Sequence, residues 1–301
     1  MLSPVSTPAD DIARRHYEQQ QLLAARSTEA ARQAWVTIDR SDIAGSWAQQ
    51  IPALTQRLTA AQRVAASGAD SYVDAALAAG GAEVRPAGRV LAAGVAGVAS
   101  DGRPLGSLLV QPAITSLRAI SVGFDPIEAL QAGFVALSQI MTTQVADAGR
   151  VADGLAMAAR PAVGYVRMLA PPSCSRCAVL AGRHYRWNSG FLRHPRCDCR
   201  HIPVAESMAG DVTVDSRRYF DSLARDQQDK IFTVDGARAI RDGADLNRVV
   251  NARRGMTAAG TTTELATRHT GARLMPERIY RLAAGDRDLA LSLLRQHGFI
   301  A

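Results

Sequence analysis

The sequence predicts a mainly α-helical protein. A long helical N-terminal region spans residues 1–160, a small α+β module with short antiparallel strands spans 161–205, and a helical C-terminal region spans 206–301. Three observations carry this reading. Apolar residues make up 47% of the 301-residue chain but aromatic residues only 5%, a balance that favours closely packed helices over a β-sandwich. All four cysteines fall between positions 174 and 199. The formal charge of +7 is concentrated in the same place: residues 161–205 carry seven arginines against Asp198 alone, whereas residues 1–160 carry 13 arginines and 14 acidic residues.

The elements follow in order. Thr7-Pro8-Ala9-Asp10 has the pattern of a helix start, with a cap, a proline in the first turn and an acid at the third position, and the helix should run to about Ile38. Ile43, Trp47, Ile51, Leu54 and Leu58 keep helical spacing in a second stretch from about Ser41 to Ala79, which Pro52 should interrupt and Gly80-Gly81 should end. Residues 87–122 read as mostly helical, with a turn at Asp101-Gly102. Asp125-Pro126-Ile127-Glu128 has the form of a capping box. The helix after it aligns Ile127, Leu130, Phe134, Leu137, Met141 and Val145 on one stripe and should continue to about Ala159, where Pro161 stops it. Such a stripe reports burial.

Beyond Pro161 the texture changes. Val163 to Leu169 is short and β-prone, and His184 to Trp187 and Cys199 to Val204 read as two further strands. After Glu206 helical spacing returns, with turns near Asp235-Gly236, Asp242-Gly243, Gly255 and Gly285-Asp286. Leu289, Leu293 and Leu294 mark a last helix, which Gly298 ends. The stretch from Met1 to Gln21 is polar, and the longest apolar run, Val90 to Ala99, is too short to span a bilayer, so a soluble protein made in a cytoplasm is expected.

Clustered cysteines in a reducing compartment read as metal ligands; buried thiols or a redox pair are the alternative. Cys174-Ser-Arg-Cys177 has the spacing that brings two thiolates from one turn to a single ion. The second half is His194-Pro-Arg-Cys197-Asp-Cys199-Arg-His201. If residues 197–201 are extended, Cys197, Cys199 and His201 share a face. The expected set is Cys174, Cys177, His194 and Cys199, with Cys197 as the main substitute and His201 as a further one. Thiolate and imidazole donors select Zn(2+), and four protein ligands make one closed, structural site. Arg176, Arg196 and Arg200 could offset the charge of the thiolates.

Two enzymatic patterns match the sequence only weakly. His16-Tyr17-Glu18 with Pro172-Ser173-Cys174 is a poor match to a zinc deaminase, because the proline is out of place and the halves lie far apart. Cys174-x-x-Cys177 before His201-Ile202-Pro203 is faintly similar to an HNH-type nuclease, but no cysteine pair follows His201, which also lacks an adjacent acidic or His partner. Neither a phosphate-binding glycine loop nor a nucleophile elbow occurs.

The combination Cys174-x-x-Cys177 and His194-Pro-x-Cys197-x-Cys199 resembles the Mu F-like family of phage minor head proteins, and Val163-Gly-Tyr-Val-Arg-Met-Leu169 before it also fits. The later run from Ala239 to Gly255 resembles the tail of the version found in phages of actinobacteria. The specific motif covers residues 163–204, and residues 1–160 match only in being helical. The resemblance implies a minor capsid protein present in few copies inside the virion. It would contact the portal protein and the capsid interior, take part in head morphogenesis, and influence DNA packaging or ejection, with no membrane or small-molecule substrate; because no catalytic constellation follows the cysteine segment, no enzymatic activity is expected. The alternatives are a zinc-containing HNH-like nuclease and a basic nucleic-acid-binding protein. In either the viral or the nucleic-acid-binding role, Arg193, Arg196 and Arg200, with Arg253 and Arg254 as a second patch, are the expected phosphate contacts to DNA, weak and nonspecific.

Overall fold

The computed structural model describes residues 7–168, 173–180, 182, 184–186, 200–208, 216–252, 256–257, 260–261, 274 and 276–300. They are mainly helical and fall into two compact units. The first takes the N-terminal helices, the opening strand as far as Val166 and the two strands that pair with it; the second begins at Arg167 and takes the remaining helices. The described part of 161–205 is thus shared between the units. No described helix is long and apolar enough to cross a membrane.

In the first unit α1 spans Pro8–Trp35. Its start is the expected box: Asp10 donates its N–H to Thr7 Oγ1 at 3.2 Å, and Thr7 N–H returns to the Asp10 carboxylate at 3.1 Å. The buried face is narrow and small, built from Ala9, Ala13, Ala24 and Ala31, with Gln20 and Trp35. The second stretch resolves into α2, Ile43–Ser67, and α3, Ala69–Ala79. The break lies at Gly68, not at Pro52, through which α2 runs. Pro52 removes the hydrogen bond to the Ala48 carbonyl, and both residues are exposed, so water can take the donor's place.

Residues 87–122 depart most from expectation. Only one 3-10 turn, Ala92–Val95, interrupts an irregular course up to α4, Leu105–Leu109, and α5, Gln111–Ser121. Buried side-chain amides do the work of a helix ladder here. Gln62 accepts from Gly97 N–H at 2.8 Å and donates to the Val98 carbonyl at 3.0 Å, and Gln144 accepts from Ser100 N–H at 2.9 Å. The Asp101-Gly102 turn is present, with Gly102 at φ +87°.

The central element is α6, Pro126–Ala158, about 50 Å long at the usual rise per residue. Asp125 caps it by accepting from Ile127 N–H at 2.8 Å. It packs on α1, α2, α3 and α5. Leu137, Met141 and Val145 are fully buried, Leu130 and Phe134 half-buried, and Ile127 is exposed. The stripe therefore forms core from its second turn onward. Trp35 and Trp47 meet edge to face at 4.8 Å in this core, and their indole N–H groups donate to the Leu130 and Leu109 carbonyls.

All three expected strands form: β1, Val163–Met168; β2, His184–Arg186; and β3, Arg200–Ala205, in the order β2-β1-β3. β1 and β2 pair antiparallel, with Tyr165 opposite Tyr185. Tyr72 on α3 donates its hydroxyl to the His201 carbonyl, which ties β3 to the helices.

The second unit holds α7, Ser175–Leu180; α8, Ser216–Ser222; α9, Arg225–Phe232; α10, Val234–Arg241; α11, Leu246–Ala252; α12, Pro276–Ala283; and α13, Arg287–Gln296, with a two-residue antiparallel pair, β4 (Met256–Thr257) and β5 (Gly260–Thr261). Phe220, Phe232, Ile240, Val249, Ile279, Leu294 and Phe299 form its core. The turn expected at Asp235-Gly236 sits earlier, at Thr233 (φ +68°), whose hydroxyl caps α10 through Gly236 N–H. Gly236 is therefore helical. The turns at Gly243 and Gly285 and the stop at Gly298 fall where expected, each with positive φ. Gly255 lies outside the described residues.

Candidate metal centre

The cysteine pair opens α7. Ala178 N–H donates to the Cys174 carbonyl at 3.1 Å, which makes Cys174 the residue from which the helix starts. Cys174 is half-buried and Cys177 is 3% exposed. One turn of backbone sets their sulfurs 3.4 Å apart. Two thiolates on one tetrahedral zinc, each about 2.3 Å from the ion, stand about 3.8 Å apart. The pair is thus close to the spacing that the metal requires, and a small side-chain rotation reaches it.

Two side chains that the sequence reading did not single out support this pair. Arg167, 1% exposed, directs Nη2 to within 3.5 Å of Cys177 Sγ. A buried guanidinium is costly unless it is paired, and a metal-bound Cys177 would supply the opposite charge. Tyr219 on α8 accepts from Ser173 N–H at 3.1 Å and donates to the Ser173 carbonyl at 3.0 Å, so both backbone groups beside Cys174 are pinned by one hydroxyl. Burial pushes that hydroxyl above its ordinary pKa, which keeps it a donor. Behind the pair, Ala178 and Val179 join the core with Tyr219 and Phe220.

The remaining expected ligands, His194, Cys197 and Cys199, lie outside the described residues. So do Arg193, Arg196, Arg253 and Arg254, and the side chain of Arg200, whose backbone opens β3. Among the described residues no group of three or more His, Cys, Asp or Glu side chains is gathered to hold a metal ion. His201, the further substitute, stacks its imidazole on Tyr165 with ring centroids 4.0 Å apart. Of the expected ligand set the described residues show two cysteine sulfurs, whose softness and 3.4 Å spacing are compatible with zinc.

His16, which a deaminase would need as a ligand, is engaged elsewhere. Its Nε2 lies 3.2 Å from the buried Asp153 carboxylate, and its ring stacks on Tyr72 at 3.9 Å with the planes 2° apart. This arrangement locks α1 to α3 and α6. Arg167 and Tyr219 escaped notice for different reasons. Arg167 ends a run, Val163 to Arg167, that is buried on both faces of β1, so no alternation of polar and apolar residues marks it. Tyr219 carries no local signal, because its partner is 46 residues away in sequence. In comparisons with known proteins, no family model, no curated protein and no solved structure matches this chain.

Proposed function

We propose that this chain is a phage minor head protein: a structural component of the virion, inside the capsid at the portal, that acts in head morphogenesis and touches the packaged DNA. The observation that carries the reading is the Cys174–Cys177 pair, 3.4 Å between sulfurs and faced by the buried Arg167, in a sequence that continues His194-Pro-Arg-Cys197-Asp-Cys199. In this reading Cys174, Cys177, His194 and Cys199, with Cys197 as substitute, would hold one structural zinc, which would add folding energy to the segment.

The first unit suits the anchoring role. Val36, Ile127 and Val135 are at least half exposed and line a cleft of about 680 Å³ together with Trp35, Ile38, Leu130 and Phe134. Exposed apolar side chains gathered in one cleft favour contact with another protein. The basic 161–205 segment suits the role towards DNA, through Arg193, Arg196 and Arg200, since phosphate contacts require clustered cations and no base-specific geometry.

Complementation tests the assignment. Phage lacking the gene, supplied with the full chain in trans, should yield heads that contain it; a chain lacking residues 1–160 should be left out of them. Equal incorporation of both would remove the anchoring role from the helical region. The rival nuclease reading predicts metal-dependent DNA cleavage that is lost in His201→Ala, whereas the stacking of His201 on Tyr165 supports a packing role for that ring.

A further inference from the structure

The cysteine pair is built with an asymmetry that a purely structural zinc site does not need. Cys174 is half-buried and reachable, Cys177 is 3% exposed, and their sulfurs already stand 3.4 Å apart. A disulfide needs them at about 2.05 Å, an approach of about 1.4 Å, which side-chain torsions at the more open Cys174 can supply. The backbone around the pair is held while the sulfurs move: Tyr219 grips both polar groups of Ser173, and the Cys174 carbonyl already accepts from Ala178. The half-buried Cys174 and the buried Cys177 thus offer an attacking and a resolving sulfur for thiol–disulfide exchange.

We propose that Cys174 and Cys177 form a reversible thiol-modification site, closed to an intrachain disulfide by a low-molecular-weight disulfide such as oxidised glutathione. The Cys174 thiolate attacks one sulfur of glutathione disulfide, forming a mixed disulfide and expelling one glutathione thiolate, which takes up a proton. The Cys177 thiolate then attacks Cys174 Sγ and expels the second glutathione. Two protein thiols are oxidised and one glutathione disulfide is reduced to two glutathiones. The inference rests on the geometry of the pair, and it adds to the metal reading a means of release: closing the disulfide withdraws two of the four zinc ligands.

Trypsin makes the test direct, because Arg176 lies between the two cysteines. The full chain, as purified, is incubated with excess oxidised glutathione, its remaining thiols are blocked, and it is digested. The peptide ending at Arg176 and the peptide beginning at Cys177 should be recovered joined, and should separate on reduction. In Cys177→Ser the reaction should stop at the first step, giving a chain heavier by one glutathionyl group on Cys174. Absence of the joined pair overturns the proposal, as does linkage of Cys174 or Cys177 to Cys197 or Cys199 in its place. Zinc is measured in the same sample before and after. A chain that never held zinc would sink the metal reading alone, while the joined peptides would still decide this one.

Discussion

Arg160 has no exposed side-chain surface, yet it carries a charge. It is held by Asp70 at 3.3 Å, by Asp74 at 2.5 Å and by the Ala156 carbonyl, so α6 is fastened to α3 by a cation that has nowhere else to go. Arg160→Ala takes the buried partner from Asp70, while Asp74, 41% exposed, keeps Arg89 at 3.0 Å, so the helical unit should lose about 1.5–3 kcal/mol, read from urea unfolding followed by helical circular dichroism. Burial pushes the Asp74 carboxyl up, but the bonds from Arg160 and Arg89 outweigh it and hold the pKa below the usual range. A carboxyl lowered in the folded state adds stability that is present above the unfolded pKa and is lost as pH falls through the folded one. Unfolding midpoints should therefore drop on acidification below about pH 4, and Asp74→Asn should flatten that drop. Tyr219→Phe removes both bonds to Ser173 and should cost about 1–2 kcal/mol, with amide exchange at Ser173 rising first. None of these roles was legible in the sequence. Arginine is mostly exposed in folded proteins, so nothing local marks Arg160 and Arg167 as buried, and their partners are distant in sequence or, in the case of a sulfur, not obviously anionic.

At the scale of elements, what was legible followed periodicity and caps. The Thr7 box, the α6 stripe, the β-prone run of β1 and the glycine stops after α13 are local patterns, and each appears in place. The failures have two causes, solvent at one place and tertiary partners at the other. Pro52 stays inside α2 because its broken bond faces water. Residues 87–104 stay irregular because Gln62 and Gln144, from α2 and α6, accept and donate where a helix would have bonded to itself. Gly133 shows how tightly the helices meet. A Cβ there would lie 2.6 Å from Trp35 and 2.8 Å from the Pro112 carbonyl, and would strike Ser116 Oγ. Gly133→Ala should therefore cost about 1–3 kcal/mol despite its higher helix propensity, since the obstacle includes backbone. The same substitution at Gly154, where a Cβ meets nothing, should be neutral or stabilising, and thermal melts of the two variants side by side check the contrast.

For the whole molecule, the cysteine pair of the candidate site was legible as a pair, and the spacing of Cys174 and Cys177 translated directly into two sulfurs at 3.4 Å. The charge asymmetry along the chain was legible too, and it yields a prediction of its own. The full chain should bind duplex DNA without sequence preference, with an affinity that falls steeply as salt rises, and Arg193→Ala with Arg196→Ala should reduce that slope by about two contacts. Salt-independent binding would assign those arginines to balancing thiolates instead. The place proposed for the chain is the virion head, and fractionation of purified particles decides whether it is there. Mass spectrometry of intact heads should find the chain at a few copies per particle, shielded from added protease until the capsid is opened. Purified virions that contain none of it would contradict the account.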